Sequence, residues 1–193
     1  RGLWLVCPPP VSPGAVVPEG PAGPVPEIGP EYDCVLAWDL GGGGAAEDLQ
    51  RIKARSQQVR RADRWKGRPL VCRPGCELRA WSRYVNLLWI DRPPLGTSLE
   101  LTDYGRWLRQ RPLPPPNAPA TVANVETQPV AALRRQWALL GRGQPLPGTV
   151  SPEQIRLLTY TAVAAGSRGL IFGSETPLDR TDPDTRARAA ALE

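Results

Sequence analysis

The chain has 193 residues, and its hydrophobic content of 41% is sufficient to bury the core of one domain. The net charge of +5 comes almost entirely from arginine, which is spread over all the predicted helices, and no nucleic-acid fold motif is present, so we expect no nucleic-acid partner. Histidine is absent, which excludes Ser-His-Asp and Cys-His catalysis and a histidine metal site within these residues.

Six short apolar runs alternate with helical patterns along the chain, which is typical of βα units and a parallel sheet. The runs are apolar on both faces, as we expect of strands that helices cover. The predicted strands are Gly2–Cys7, Cys34–Leu40, Pro69–Cys72, Val85–Ile90, Thr121–Val125 and Gly169–Phe172.

Helical periodicity occupies the segments between these strands. The helix between Ser151 and Gly166 has the clearest boundaries. Ser151 is its predicted N-cap, Pro152 takes the first helical position and Gln154 completes a capping box. Gly166 ends this helix. The other predicted helices are Glu47–Ala62, Glu77–Tyr84, Thr102–Gln110 and Val130–Leu140.

The ends of the chain suggest a segment of a longer protein. Arg1-Gly2 runs directly into an apolar stretch, Glu193 falls inside a helix-like run, and there is no methionine. The proline-rich connector Leu113–Pro119 is too short to separate two domains. We therefore expect residues 1–193 to be one segment of a single domain, truncated at both ends.

The six strands in βα order are too few to close a barrel, which usually needs eight. A doubly wound sheet could be built from six strands, but the loop after the first strand, Pro8–Pro30, carries prolines where a dinucleotide fold has glycines. The run Gly41–Gly44 follows a strand and precedes a helix, so a phosphate cradle there stays as a remote alternative.

The cysteines do not indicate a metal site. Cys7, Cys34 and Cys72 fall in predicted strands, where free cysteine is usually a small buried hydrophobe. The spacing from Cys72 to Cys76 is wrong for a zinc knuckle, so we expect no metal and no cofactor. No apolar run reaches the roughly 20 residues that span a bilayer. The compartment is left open, an extracytoplasmic one included.

Four carboxylates follow predicted strands, at the end where a (β/α) barrel collects its chemistry: Asp39, Asp91, Glu126 and Glu175. Acids at strand ends also cap helices or pair with arginine, and Asp91-Arg92 is open to that interpretation. Glu126 stands apart because Asn124 precedes it by two residues, so both side chains point to the same side of the strand. Burying both is costly without a purpose.

With these residues in place, the chain resembles the clan of retaining glycosidases that contains the β-galactosidases. In that clan the fourth barrel strand ends in Trp-x-x-Gly-Asn-Glu, and here Trp38, Leu40 and Gly41 match while Gly42-Gly43 replaces Asn-Glu. The segments that resemble the third, fourth, sixth and seventh strands and the final helix and strand are Gly2–Pro9, Cys34–Gly41, Val85–Asp91, Thr121–Glu126 and Thr159–Phe172.

The resemblance implies an α/β fold, a (β/α)8 TIM barrel of which this chain supplies about strands three to eight, closed by the remainder of its own chain. It places Glu126 at the nucleophile and leaves position 43 without the acid/base glutamate, so Asp39 becomes the candidate acid/base. Two hypotheses remain: a glycoside hydrolase that binds carbohydrate, or an inactive barrel that binds glycans or has a structural role. The implied substrate contacts are Trp38, Asp91, Asn124 and Glu175.

Overall fold

The computed structural model describes residues 5–12, 23–75, 77–92, 94–95, 97, 99–111, 119–140, 150–174 and 180–192. The strands are β1 (Leu5–Cys7), β2 (Val35–Gly43), β3 (Leu70–Pro74), β4 (Leu87–Ile90), β5 (Ala120–Glu126) and β6 (Gly169–Gly173). The helices are α1 (Ala46–Ala62), α2 (Leu78–Trp81), α3 (Leu101–Arg109), α4 (Ala131–Leu140), α5 (Pro152–Ala164) and α6 (Pro183–Ala191), with a 3₁₀ turn at Pro30–Tyr32.

The predicted α/β class is confirmed: the six strands form a parallel sheet in which strand order follows chain order. This succession of βα units is compatible with part of a (β/α) barrel. The chain divides into two compact units, the first comprising Arg1–Ile90 and Leu113–Thr121 and the second Asp91–Pro112 and Val122–Glu193. In the described part of the chain, no helix has the length and apolar character to cross a membrane.

The first unit contains β1 to β4, with α1 packed on the sheet. Leu70, Val71 and Cys72 of β3 are buried in succession, as in a parallel strand that is covered on both faces, whereas Leu5 and Val6 of β1 are exposed. The first residue of β5 also belongs here, since the Ala120 N–H donates to the Asn86 carbonyl oxygen at 3.1 Å. The core side chains include Trp38, Ile52, Val59, Leu70, Val71, Cys72 and Leu88.

The end of β2 differs from the prediction. The strand continues to Gly43 instead of ending at Leu40, because Gly42 pairs with Arg73 and Gly43 with Pro74 after a bulge. A β-carbon on Gly42 would overlap the backbone carbonyl of Arg73, so only glycine permits this close approach. The glycines therefore extend the strand instead of forming an open loop.

The second unit pairs β5 with β6 and packs α3 and α6 against α5. Its β5–β6 register runs from Val122 opposite Gly169 to Glu126 opposite Gly173. The capping box predicted for α5 is confirmed: the Gln154 N–H donates to Ser151 Oγ at 3.2 Å, and the Ser151 N–H donates to Gln154 Oε1 at 2.9 Å. Its core side chains include Tyr104, Ala123, Val125, Ile155, Leu158 and Ala162.

The cysteines correct one expectation. Cys72 is buried and Cys7 half-buried, but Cys34 is exposed because β2 begins one residue after it. Burial raises the pKa of the Cys72 thiol to about 12, so this thiol is inert near neutral pH.

Candidate functional site

Glu126 lies at the carboxyl end of β5, in register with Gly173 of β6. Its neighbour Thr127 fixes this strand end, because the Thr127 N–H and Oγ1 both donate to the Gly173 carbonyl oxygen, at 3.0 and 2.8 Å. Glu126 is only 6% exposed, and its Oε2 atom is buried without a hydrogen-bond partner among the described residues. A buried carboxyl oxygen without a partner is costly, so this position is an unusual one for a purely structural residue.

The Asn124 side chain binds Asp91. The Asn124 Nδ2 group donates to Asp91 Oδ1 at 3.0 Å, and the amide packs over Gly173, where a β-carbon would lie about 3.0 Å from Asn124 Oδ1. Asn124 Oδ1 itself is buried and has no partner among the described residues. Two of the predicted site residues are thus in direct contact, and their site holds two unused acceptor oxygens.

The electrostatics of this site favour a proton on Glu126. Burial and, to a smaller extent, the charge of Asp91 together raise the pKa of Glu126 to about 7. Burial, Asp91 and Glu126 likewise raise the pKa of Tyr104 to about 12. The Tyr104 hydroxyl lies 3.5 Å from the Asn124 carbonyl oxygen. We call Asp91, Tyr104, Asn124 and Glu126 the Glu126 cluster.

No arginine or lysine neutralises the Glu126 cluster within the described residues. Arg92 does not pair with Asp91; its guanidinium lies 5.1 Å from the centroid of the Trp107 ring, and that of Arg111 lies 4.0 Å from the same ring. The pairing of Asp91 with Arg92 that the sequence left open is therefore not formed. Every aspartate in an ion pair within the described residues lies outside this cluster: Asp33, Asp39, Asp48, Asp63 and Asp103.

Asp39 is held in an ion pair on the first unit. Arg73 approaches Asp39 Oδ2 to 3.1 Å, and the Gly41 N–H donates to Asp39 Oδ1 at 2.8 Å. These groups line an open depression of about 520 Å³ together with Arg51 and Arg55. Both carboxylate oxygens are thus engaged by the protein itself, one by a guanidinium and the other by a backbone amide, which disfavours Asp39 as the acid/base.

Trp38 belongs to the core of the first unit. It has no exposed surface, and its indole Nε1 donates to Asp63 Oδ2 at 2.8 Å. Arg68 pairs with Asp63 at 2.7 Å and lies 5.5 Å from the Trp38 ring centroid. This geometry gives Trp38 a packing role instead of a surface for stacking sugars. The fourth implied contact, Glu175, lies outside the described residues.

The Gly41–Gly44 run offers a phosphate few free donors, because the Gly41 N–H already donates to Asp39 Oδ1. The Gly42 carbonyl oxygen accepts from Arg51, and the Gly43 carbonyl oxygen accepts from the Gly75 N–H at 2.7 Å. The Asp48 carboxylate already accepts from the Ala45 N–H, at the start of α1 where a phosphate would bind. In the described part of the chain, no three acidic or cysteine side chains gather as metal ligands.

Sequence reasoning missed two residues of these sites. Tyr104 was assigned only to a helix, because nothing in the sequence brings residue 104 to residue 124. Arg73 could have been found: adjacent parallel strands end at the same edge of a sheet, so a charged residue at the end of β3 is a natural neighbour for Asp39.

The fold resembles that of a glycosidase, whereas the sequence comparisons find no relative. No protein-family model and no curated protein matches the chain. Among solved structures, it is similar to one described as a "putative alpha-L-fucosidase" from Bacteroides thetaiotaomicron, with a TM-score of 0.55 and 10% identity over 84% of this chain and 53% of the other. The chain thus spans about half the length of that protein, and at this identity the likeness concerns the fold alone.

Proposed function

We propose that the chain is part of a glycoside-hydrolase-like carbohydrate-active domain that cleaves glycosidic bonds with retention of configuration. In this proposal residues 1–193 supply strands three to eight of a (β/α)8 barrel, and the remainder of the same chain closes it. The observation that carries the proposal is Glu126, a buried carboxyl group with an unused oxygen at the carboxyl end of β5. The fold similarity to a protein described as a fucosidase supports the same class.

Asn124 and Asp91 are the proposed sugar contacts around Glu126. A sugar ring offers several hydroxyl donors, and the unpartnered Oδ1 of Asn124 and Oε2 of Glu126 are the acceptors that such donors would satisfy. The absence of cations from the described surroundings of these acceptors suits a neutral, hydroxyl-rich ligand better than a phosphate.

The test is turnover of a panel of aryl glycosides by the full-length protein, with azide as an added nucleophile. Aryl groups leave with little help from an acid, so hydrolysis is detectable even if proton donation is weak. We expect turnover by wild type and a loss of at least 100-fold in Glu126→Gln for the aryl glycosides with the poorest leaving groups, with thermal stability retained. Wild-type activity equal to that of Glu126→Gln contradicts the assignment of Glu126.

A second candidate is an inactive barrel that binds glycans or has a structural role. It is favoured by Gly42-Gly43, which stands where the resemblance has the acid/base pair, and by Asp39, which is engaged by Arg73. Glycan binding without turnover of any aryl glycoside would support this candidate over the first.

A further inference from the structure

We propose that Asp91 and Glu126 are the two catalytic carboxyl groups, with Asp91 as nucleophile and Glu126 as general acid and base. This assignment rests on the proposed glycosidase function and changes the residues that perform it. It removes the need for a carboxyl at position 43, and it also removes Asp39 from the chemistry.

The two carboxyls differ in the way that a retaining mechanism requires. Asp91 is exposed and has one oxygen held by Asn124 Nδ2, so it is hydrated and oriented. Glu126 is 6% exposed, has no cation beside it in the described residues, and has a free Oε2. Where one carboxyl is buried and its neighbour is solvated, the buried group keeps its proton and acts as the acid.

The two groups share Asn124 as a neighbour: its side chain binds Asp91 Oδ1 at 3.0 Å, and it lies two residues before Glu126 on the same side of β5. The charge of Asp91 acts on both Glu126 and Tyr104, and the Tyr104 hydroxyl approaches the backbone of Asn124. The negative charge of Asp91 disfavours ionisation of Glu126, so Glu126 is the carboxyl that holds its proton more readily. A retaining glycosidase uses a pair of this kind, with carboxyls about 5–5.5 Å apart.

The reaction balances with these two groups and water. An Asp91 carboxylate oxygen bonds to the anomeric carbon as the bond to the leaving oxygen breaks, and the Glu126 proton moves to that oxygen. Water then attacks the anomeric carbon and gives a proton to the Glu126 carboxylate. The ester bond to Asp91 breaks, which regenerates both groups. Tyr104 and Asn124 are positioning residues for the pair.

The experiment uses the full-length protein with dinitrophenyl and phenyl glycosides of one sugar that wild type hydrolyses. Glu126→Gln is expected to retain dinitrophenyl glycoside turnover within about 10-fold and to lose phenyl glycoside turnover by about 100- to 10,000-fold. Asp91→Asn is expected to lose both activities by a similar factor, and azide then restores turnover with a glycosyl azide of inverted configuration. Asp103→Asn, an exposed acid of the same unit, is the matched control and keeps wild-type rates.

The outcomes separate this inference from the proposed function. If wild type turns over a glycoside and Asp91→Asn does so equally well, the assignment of Asp91 as nucleophile is overturned and the proposed glycosidase function stands. An inverted azide product from Glu126→Gln makes Glu126 the nucleophile, which also overturns the pair. No turnover by wild type on any sugar overturns the proposed function and the inference with it.

Discussion

At the scale of single residues, the buried Asp63 carboxylate stabilises the first unit through its pair with Arg68. Its carboxylate is 4% exposed and accepts from the Trp38 indole, the Arg68 N–H and the Arg68 guanidinium, which is 7% exposed. Asp63→Ala leaves that guanidinium with only the exposed Asp33, at 3.6 Å, as a counter-charge, so we expect the free energy of unfolding to fall by about 3 kcal/mol in urea titrations. Asp103→Ala breaks the exposed pair with Arg106 and should cost less than about 1 kcal/mol. Equal losses would contradict the role of Asp63.

Glu126 should make the protein less stable as pH rises from about 4.5 to 7. Its carboxyl has a pKa of about 7 in the folded state and an ordinary value when unfolded, so the folded state binds the extra proton in this window. That stabilisation is complete below the unfolded pKa and is lost as pH rises through the folded pKa. At pH 8 we expect Glu126→Gln to be more stable than wild type by roughly 3 kcal/mol, and near-equal at pH 4.

The matched control for this pH profile is Glu153→Gln. Glu153 is exposed at the start of α5, where backbone and Ser151 hydrogen bonds lower its pKa. Its contribution therefore has the opposite sign, present above the unfolded pKa and lost as pH falls, so its substitution should give no gain at pH 8. Chemical denaturation at several pH values measures both variants, and a flat difference for Glu126→Gln would argue against its raised pKa.

At the scale of elements, the close pairing of β2 with β3 requires glycine at the end of β2. A β-carbon at Gly42 would overlap the Arg73 backbone, whereas one at Gly44 meets nothing within 4 Å. We expect Gly42→Ala to cost about 1–3 kcal/mol by separating β2 from β3, and Gly44→Ala to stay within about 0.5 kcal/mol. Thermal unfolding of both variants checks the contrast. Equal stabilities would mean that β2 does not continue to Gly43 in solution.

Local signals predicted some element boundaries well and others poorly. The start of α5 was predictable because Ser151 and Gln154 satisfy the helix N-terminus from within four residues. The end of β2 was not, because consecutive glycines usually mark a loop, and here the deciding contact is with Arg73 on another strand. The predicted helix Glu77–Tyr84 is shorter in the structure and covers only Leu78–Trp81.

At the scale of the whole molecule, βα alternation was sufficient to predict a parallel sheet, but not which side chains would meet. Asn124 and Glu126 were predictable as neighbours because strand residues two apart share a face. The hydrogen bond of Asn124 to Asp91, and the approach of Tyr104 to the Asn124 carbonyl oxygen, join residues that are 33 and 20 positions apart. Local sequence patterns do not encode such long-range contacts, so the Glu126 cluster could be identified only from the structure.

The edge strand β1 gives the final prediction. In the described residues it pairs with β2 alone, and Leu5 and Val6 are 47% and 38% exposed. An apolar parallel edge recruits other strands, so the 193-residue chain by itself should self-associate with rising concentration in sedimentation velocity. Val6→Lys should shift the distribution toward monomer by charging that edge, whereas Val163→Lys, on the exposed face of α5, should not. A monomeric, cooperatively melting wild-type chain would instead indicate a self-contained α/β fold that needs no further strands.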